Sequence, residues 1–170
     1  MLHVPSDLRR PSTTSTGGLV LLTAAAVILT ALGFEHLGGH VPCPLCLQQR
    51  YAYYGAMPAL AVALALLRTR RPTPAAIIFL LVAVAFVVNA GLGVYQAGAE
   101  WKFWDPPATC AAPSTLPAFD INQLNFDRAG CGVASWRFLG LSFAGWNVVT
   151  SILLAAGAFT AAFTAMRRLP

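Results

Sequence analysis

Four cysteines, Cys43, Cys46, Cys110 and Cys131, are the residues of this chain best suited to chemistry. They form two pairs of different physical character. Cys43-Pro44-Leu45-Cys46 closes a very small ring if oxidised. Pro44 suits the first position of a helix, where its missing N–H has no partner to lose. Cys43 is then expected at the N-cap and Cys46 in the first turn. Free backbone N–H groups and the positive end of the helix dipole favour a thiolate there. A ring so short removes little chain entropy, so redox use accounts for this pair better than bracing does. Cys110 and Cys131 enclose a stretch that includes Pro113, Pro117 and Gly130. A disulfide there is expected to be exposed on a mobile segment, within reach of another protein, with a purely structural bond as the alternative. No metal is expected: a CxxC alone is half a zinc site, the other cysteines are not so spaced, and only His36 and His40 stand near.

Arg50 follows Cys46 by four residues and shares its helix face. Its planar guanidinium can address a thiolate and a carbonyl oxygen of a bound electron acceptor together, although a snorkelling side chain is an equal reading. Gln49 is a further hydrogen-bond donor. Phe34, Tyr51 and Tyr54 supply flat apolar surface at the same depth, as interfacial anchors also would. His36 completes this candidate acceptor-binding group, with an interfacial histidine as its plainer reading.

These groups must be held by elements that composition places in a bilayer. Of 170 residues 57% are hydrophobic and 10% charged, and the mean hydropathy is +0.65. Soluble domains carry about 25% charged residues. Net charge is +5, but the basic residues sit in small groups beside apolar runs, which disfavours a nucleic-acid partner. Apolar runs predict four membrane helices at about 18–37, 44–67, 75–95 and 144–165. The fold class expected is an all-α membrane protein, a four-transmembrane-helix bundle spanning 18–166 with tails at 1–17 and 167–170. Two outward loops, 38–50 and 96–143, carry every cysteine, and 116–126 is expected to form a short interfacial helix.

Lys and Arg set the orientation. Arg9, Arg10, Arg68, Arg70, Arg71, Arg167 and Arg168 fall on one side, and Arg50, Lys102, Arg128 and Arg137 on the other. Both termini are therefore expected in the cytoplasm. The first apolar run is longer than a usual signal-peptide core, so an uncleaved helix is expected. An even number of cysteines confined to the outer face favours disulfide chemistry.

At these residues the sequence resembles the DsbB family of disulfide-bond formation proteins. The likeness lies in Phe34-Glu35-His36, in Pro42-Cys43-Pro44-Leu45-Cys46-Leu47-Gln48-Gln49-Arg50, and in Tyr95, Gly98, Glu100, Trp104, Pro107 and Cys110. It continues through Cys131, Trp136-Arg137-Phe138-Leu139-Gly140-Leu141-Ser142, Trp146 and Asn147. The resemblance implies a protein dithiol:quinone oxidoreductase of the bacterial inner membrane, its active cysteines periplasmic. It implies reoxidation of a periplasmic thioredoxin-fold protein of the DsbA type, with electrons passed to a membrane quinone of ubiquinone or menaquinone type. By resemblance Cys110 forms the mixed disulfide with that partner, Cys131 exchanges with Cys43, and Cys46 faces the quinone beside Arg50. Glu35 departs from the Gln expected before His36, and Gln96 stands where many members have His. The alternatives are a non-catalytic four-helix scaffold with structural disulfides and a reductase resembling vitamin-K-epoxide reductase.

Overall fold

The computed structural model describes residues 12–107, 110 and 131–167. The segment 116–126 and Arg9, Arg10, Arg128 and Arg168 lie outside the described residues. Four long helices make up the molecule: α1 Thr13–His36, α2 Pro44–Arg68, α3 Pro72–Glu100 and α4 Phe143–Met166. All four are long and apolar enough to cross a membrane, so the chain is a multi-pass all-α membrane protein.

The helix ends follow local chemistry. Helix α1 begins five residues before the apolar run at Gly18, because Ser12 Oγ caps it by accepting the Ser15 N–H at 3.1 Å. Helix α2 starts where Pro44 predicts. Its N-cap is Cys43, whose sulfur accepts the Cys46 N–H at 3.2 Å. Pro58 stays inside α2 without ending it, as lipid-embedded bundles tolerate.

Helix α3 runs to Glu100 rather than stopping at Tyr95. That extension turns the expected start of the second loop into helix and carries Gln96 and Glu100 inward. At its end Trp104 folds back, donating its indole N–H to the Tyr95 carbonyl at 2.8 Å and stacking on the Tyr95 ring. Gly98 makes room for this, since a Cβ there would stand 2.0 Å from the Trp104 ring.

A two-residue hairpin precedes α4, with strands β1 Arg137–Phe138 and β2 Leu141–Ser142. Its turn residues Leu139 and Gly140 both have positive φ, 50° and 83°, the geometry that matches strand twist in tight hairpins. Ser142 ends β2 and caps α4 by accepting the Gly145 N–H.

Helices α3 and α4 pack most extensively, through small residues that let backbones approach. A Cβ on Gly93 would meet Val148 at 2.8 Å, and Ala155, Ala158, Ala161 and Ala162 are buried on the facing helix. Phe79, Phe86, Leu60 and Leu154 fill the centre. Leu19, Leu22, Leu29, Leu81 and Leu153 face outward, as suits contact with acyl chains. The up-down order brings the end of α1, the cysteine start of α2, the end of α3 and the start of α4 to one end of the bundle. Arg68, Arg70, Arg71 and Arg167 mark the other, where Thr13 meets Thr164 at 3.1 Å.

Candidate functional site

All four cysteines meet at the cysteine end. Cys110 and Cys131 form a disulfide with a Cα–Cα distance of 5.5 Å, while Cys43 and Cys46 are free thiols. The disulfide packs against Cys43 and Leu45, with Cys46 beside them. The expectation of an exposed disulfide is thereby corrected: Cys110 is 6% and Cys131 1% exposed. Sulfur is apolar enough to join a small cluster with Leu45, and it docks there instead of facing water. Burial and the hydrogen bond shared with Cys46 hold the Cys43 thiol above its usual range, the hydrogen bond being the larger cause.

Gln96, marked in the sequence only as a departure from the family's His, is the hub of the site. Its Nε2 lies 3.2 Å from Cys46 Sγ and 3.4 Å from Cys43 Sγ. Its Oε1 accepts Gln49 Nε2 at 2.7 Å and faces the Cys46 thiol at 3.8 Å. An amide so placed serves Cys46 in either protonation state, accepting from S–H and donating to S⁻. From Gln49 a chain of polar side chains runs inward. Asn147 donates to Gln49 Oε1 at 2.6 Å, and Tyr53 donates to Asn147 Oδ1 at 2.8 Å. Asn89 joins Asn147 and Ser151 at 3.2 and 3.0 Å. Interhelical hydrogen bonds in lipid contribute roughly 0.6–2 kcal/mol each, so this chain also fixes how α2, α3 and α4 face one another.

Beside the sulfurs lies a cavity of about 460 Å³, lined among others by Phe34, Cys46, Gln49, Arg50, Gln96 and Trp136. That volume lies within the range of small-molecule sites. Arg50 forms an ion pair with Glu35 on the cavity wall. The hairpin and α4 supply a flat aromatic side: Trp136 stacks on Phe143 with ring centroids 4.9 Å apart, and Phe34 closes on both.

Among the expected acceptor-binding residues, the structure brings Phe34, Cys46, Gln49 and Arg50 together on this cavity. It does not bring His36 or Tyr54 there. Tyr54 is 43% exposed, because it lies 100° around α2 from Tyr53, which shares the face of Cys46 and Gln49. Tyr51 is likewise turned outward. His36 is exposed at the end of α1, and His40 lines the cavity instead. Sequence reasoning did not mention Tyr53 and Asn89, and it named Gln96, Glu100 and Asn147 without giving them a place in the site. The available signal was spacing: Asn89, Gln96 and Glu100 recur at seven and four residues in an apolar helix, as Asn147 and Ser151 do at four. Polar residues on one face of a membrane helix mark an interior site. Among the described residues no group of three or more His, Cys, Asp or Glu forms a metal-binding cluster.

A family model described as "Disulfide bond formation protein DsbB" matches residues 13–161. The chain is 37% identical over 153 residues to disulfide bond formation protein B of Marinobacter nauticus, covering 84% of this chain and 88% of that protein. It is 33% identical over 148 residues to the protein of the same name from an Acidovorax species, covering 81% of each. The counterpart from Xanthomonas oryzae pv. oryzae is 31% identical over 153 residues, with 86% and 85% covered. No solved structure matches the chain.

Proposed function

The chain belongs to the DsbB family of disulfide bond formation proteins, and on that premise we propose that it reoxidises a periplasmic thioredoxin-fold dithiol protein of the DsbA type and delivers the electrons to a membrane quinone. The observation that carries this reading is the gathering of both cysteine pairs into one cluster against a membrane-depth cavity. A disulfide relay needs sulfurs close enough to exchange, and a quinone acceptor needs a site that lipid can reach.

The steps follow from position. A partner thiolate attacks Cys110, and Cys131 leaves as the thiolate. The partner's second thiol then releases the partner as a disulfide, which leaves Cys110 and Cys131 reduced. Exchange with an oxidised Cys43–Cys46 pair moves two electrons inward, beginning at Cys131 and Cys43, which share one buried cluster. Cys46 lies on the cavity wall with Arg50 one helical turn away. Oxidation of the two thiols there releases two electrons and two protons, which a quinone of ubiquinone or menaquinone type takes up as its hydroquinone.

The residues on the wall suit such a ring. Phe34, Trp136 and Phe143 offer flat faces, and Arg50 offers a charged donor to a carbonyl oxygen. The basic end of the bundle, opposite the cysteines, fits a cytoplasmic location for the termini and a bacterial inner membrane. The buried position of Cys110 adds a requirement: the partner must draw the Cys110–Cys131 segment away from Leu45 before its thiolate can reach the sulfur.

The test is quinone reduction by the purified protein in lipid nanodiscs, supplied with a reduced thioredoxin-fold dithiol protein and a short-chain ubiquinone or menaquinone analogue. Loss of the quinone absorbance in step with partner oxidation is expected. Partner oxidation without any quinone reduction under nitrogen, or no partner oxidation at all, refutes the reading.

A further inference from the structure

Two buried side-chain oxygens lack a hydrogen-bond partner among the described residues: Asn89 Oδ1 in the middle of α3, and Glu100 Oε2 at the cysteine end. Glu100 Oε1 receives Gln96 Nε2 at 3.4 Å. The cavity's arginine pairs with Glu35, and no ion pair to Glu100 occurs among the described residues. Glu100 is also the last residue of α3, where the negative end of the helix dipole disfavours a carboxylate. Glu100 Oε2 is therefore an open acceptor on the wall of the cavity that holds the cysteines.

Gln96 sharpens the argument. Its Nε2 carries two hydrogens but faces three acceptors: Cys46 Sγ at 3.2 Å, Cys43 Sγ at 3.4 Å and Glu100 Oε1 at 3.4 Å. Cys43 Sγ already accepts the Cys46 N–H, so the two amide hydrogens can serve Cys46 Sγ and Glu100 Oε1, and Gln96 ties the acceptor-facing sulfur to the carboxylate.

We propose that Glu100 is the proton-exchange group of the Cys43–Cys46 pair. This rests on the quinone-linked reading above. As Cys46 loses its proton to become the electron-donating thiolate, Glu100 accepts that proton and then returns it to a quinone oxygen. The Cys43 proton, released as the S–S bond closes, takes the same route. Two S–H bonds break, one S–S and two O–H bonds form, and Glu100 ends as it began. The protons need not pass through the amide, because Cys43, Cys46 and Glu100 all line one cavity. The other titratable or charged groups on that cavity are Glu35 from α1, His40 from the α1–α2 link, and Arg50 and Tyr53 from α2. Helix α4 contributes only neutral side chains, and Lys102 lies two residues beyond Glu100.

The test uses the dithiol-reduced full-length protein in nanodiscs, mixed with a short-chain benzoquinone across the pH range in which carboxylates and thiols titrate. Glu100→Gln is expected to slow quinone reduction roughly a hundredfold at neutral pH, with a residual rate that climbs with pH as solvent base substitutes. Glu100→Asp should keep the native pH profile, and Glu100→Ala should regain rate as formate is added. Native rate and profile in Glu100→Gln overturn the proposal. So does a slower rate with an unchanged profile and no formate rescue, which marks a structural role only. If the unaltered protein reduces no quinone, the proposed function itself fails. If it does and Glu100→Gln behaves identically, only the role of Glu100 fails.

Discussion

Replacing Arg50 by Lys separates a guanidinium fork from a simple positive charge. Arg50 stands on the cavity wall one turn beyond Cys46, and one of its terminal nitrogens is held by Glu35. Arginine has five N–H donors in a fixed plane, so the ion pair leaves others free to address a carbonyl oxygen in the cavity. A lysine ammonium is compact and is expected to remain on Glu35, leaving that oxygen unserved. The side chain of Arg50 is only 13% exposed, so water replaces the lost bond poorly. A charge-assisted hydrogen bond contributes roughly 1.5–3 kcal/mol, equivalent to about a tenfold to hundredfold change in affinity. Arg50→Lys should therefore raise the apparent quinone KM about tenfold or more. Glu35→Gln in that background should free the ammonium and recover part of the loss. The assay is steady-state quinone reduction with saturating reduced partner, paired with stopped-flow measurement of partner exchange at Cys110–Cys131. Exchange needs no quinone and should proceed at nearly the native rate. An unchanged quinone KM in Arg50→Lys, or slowed exchange in its place, would falsify the reasoning and return Arg50 to an interfacial role.

The CxxC pair contributes little to folding by ring closure, so Cys43→Ser and Cys46→Ser should each abolish quinone reduction while the protein still inserts. Full activity in either variant rules out this pair as the acceptor-facing couple. Cys131→Ser removes the thiol that resolves the partner complex, so a mixed disulfide on Cys110 should accumulate and be visible on a non-reducing gel. Cys110→Ser should trap none, and a partner captured on Cys131 reverses the assignment. For orientation, cysteines introduced at Thr69 and Ala112 should differ: an impermeant maleimide added to intact cells should label only the latter. Labelling at position 69 from outside overturns the topology and the redox reading together.

The helices were legible because lipid imposes a length and a composition that few other environments demand. Pro44 marked the start of α2 to the residue, and with it the capping role of Cys43, since both follow from local backbone chemistry. The lining of the cavity proposed to bind the acceptor was legible only in part. Arg50, Gln49 and Phe34 could be placed by depth and helix face, whereas Tyr54 and His36 share that depth but not the face. Gln96 illustrates the deeper limit. Its neighbours in sequence are small or apolar, and its importance comes from facing Cys43 and Cys46 across a helix–helix contact that no local pattern encodes. The burial of Cys110 and Cys131 was missed for the same reason. Proline and glycine content describes how a loop bends, not where its sulfurs come to rest. The hairpin escaped notice because two residues per strand are too few for alternation to register, although Leu139-Gly140 carries the glycine such a turn favours.

The Trp104 clasp at the end of α3 acts as a mooring. Between that indole, pinned to Tyr95 over Gly98, and Cys110 there are only five residues of chain. Fully extended, that tether spans roughly 20 Å. A partner that lifts Cys110 from its berth beside Leu45 can therefore pull it only so far. On the proposed relay, every sulfur-to-sulfur encounter is then confined to a small dome above the bundle, from which Cys110 has only a short search back to Cys43. Lengthening the tether would widen the dome and admit partners docked farther away. The same change would dilute Cys110 around Cys43, so the reach and the speed of the proposed relay are set against each other by one tryptophan and the glycine beneath it.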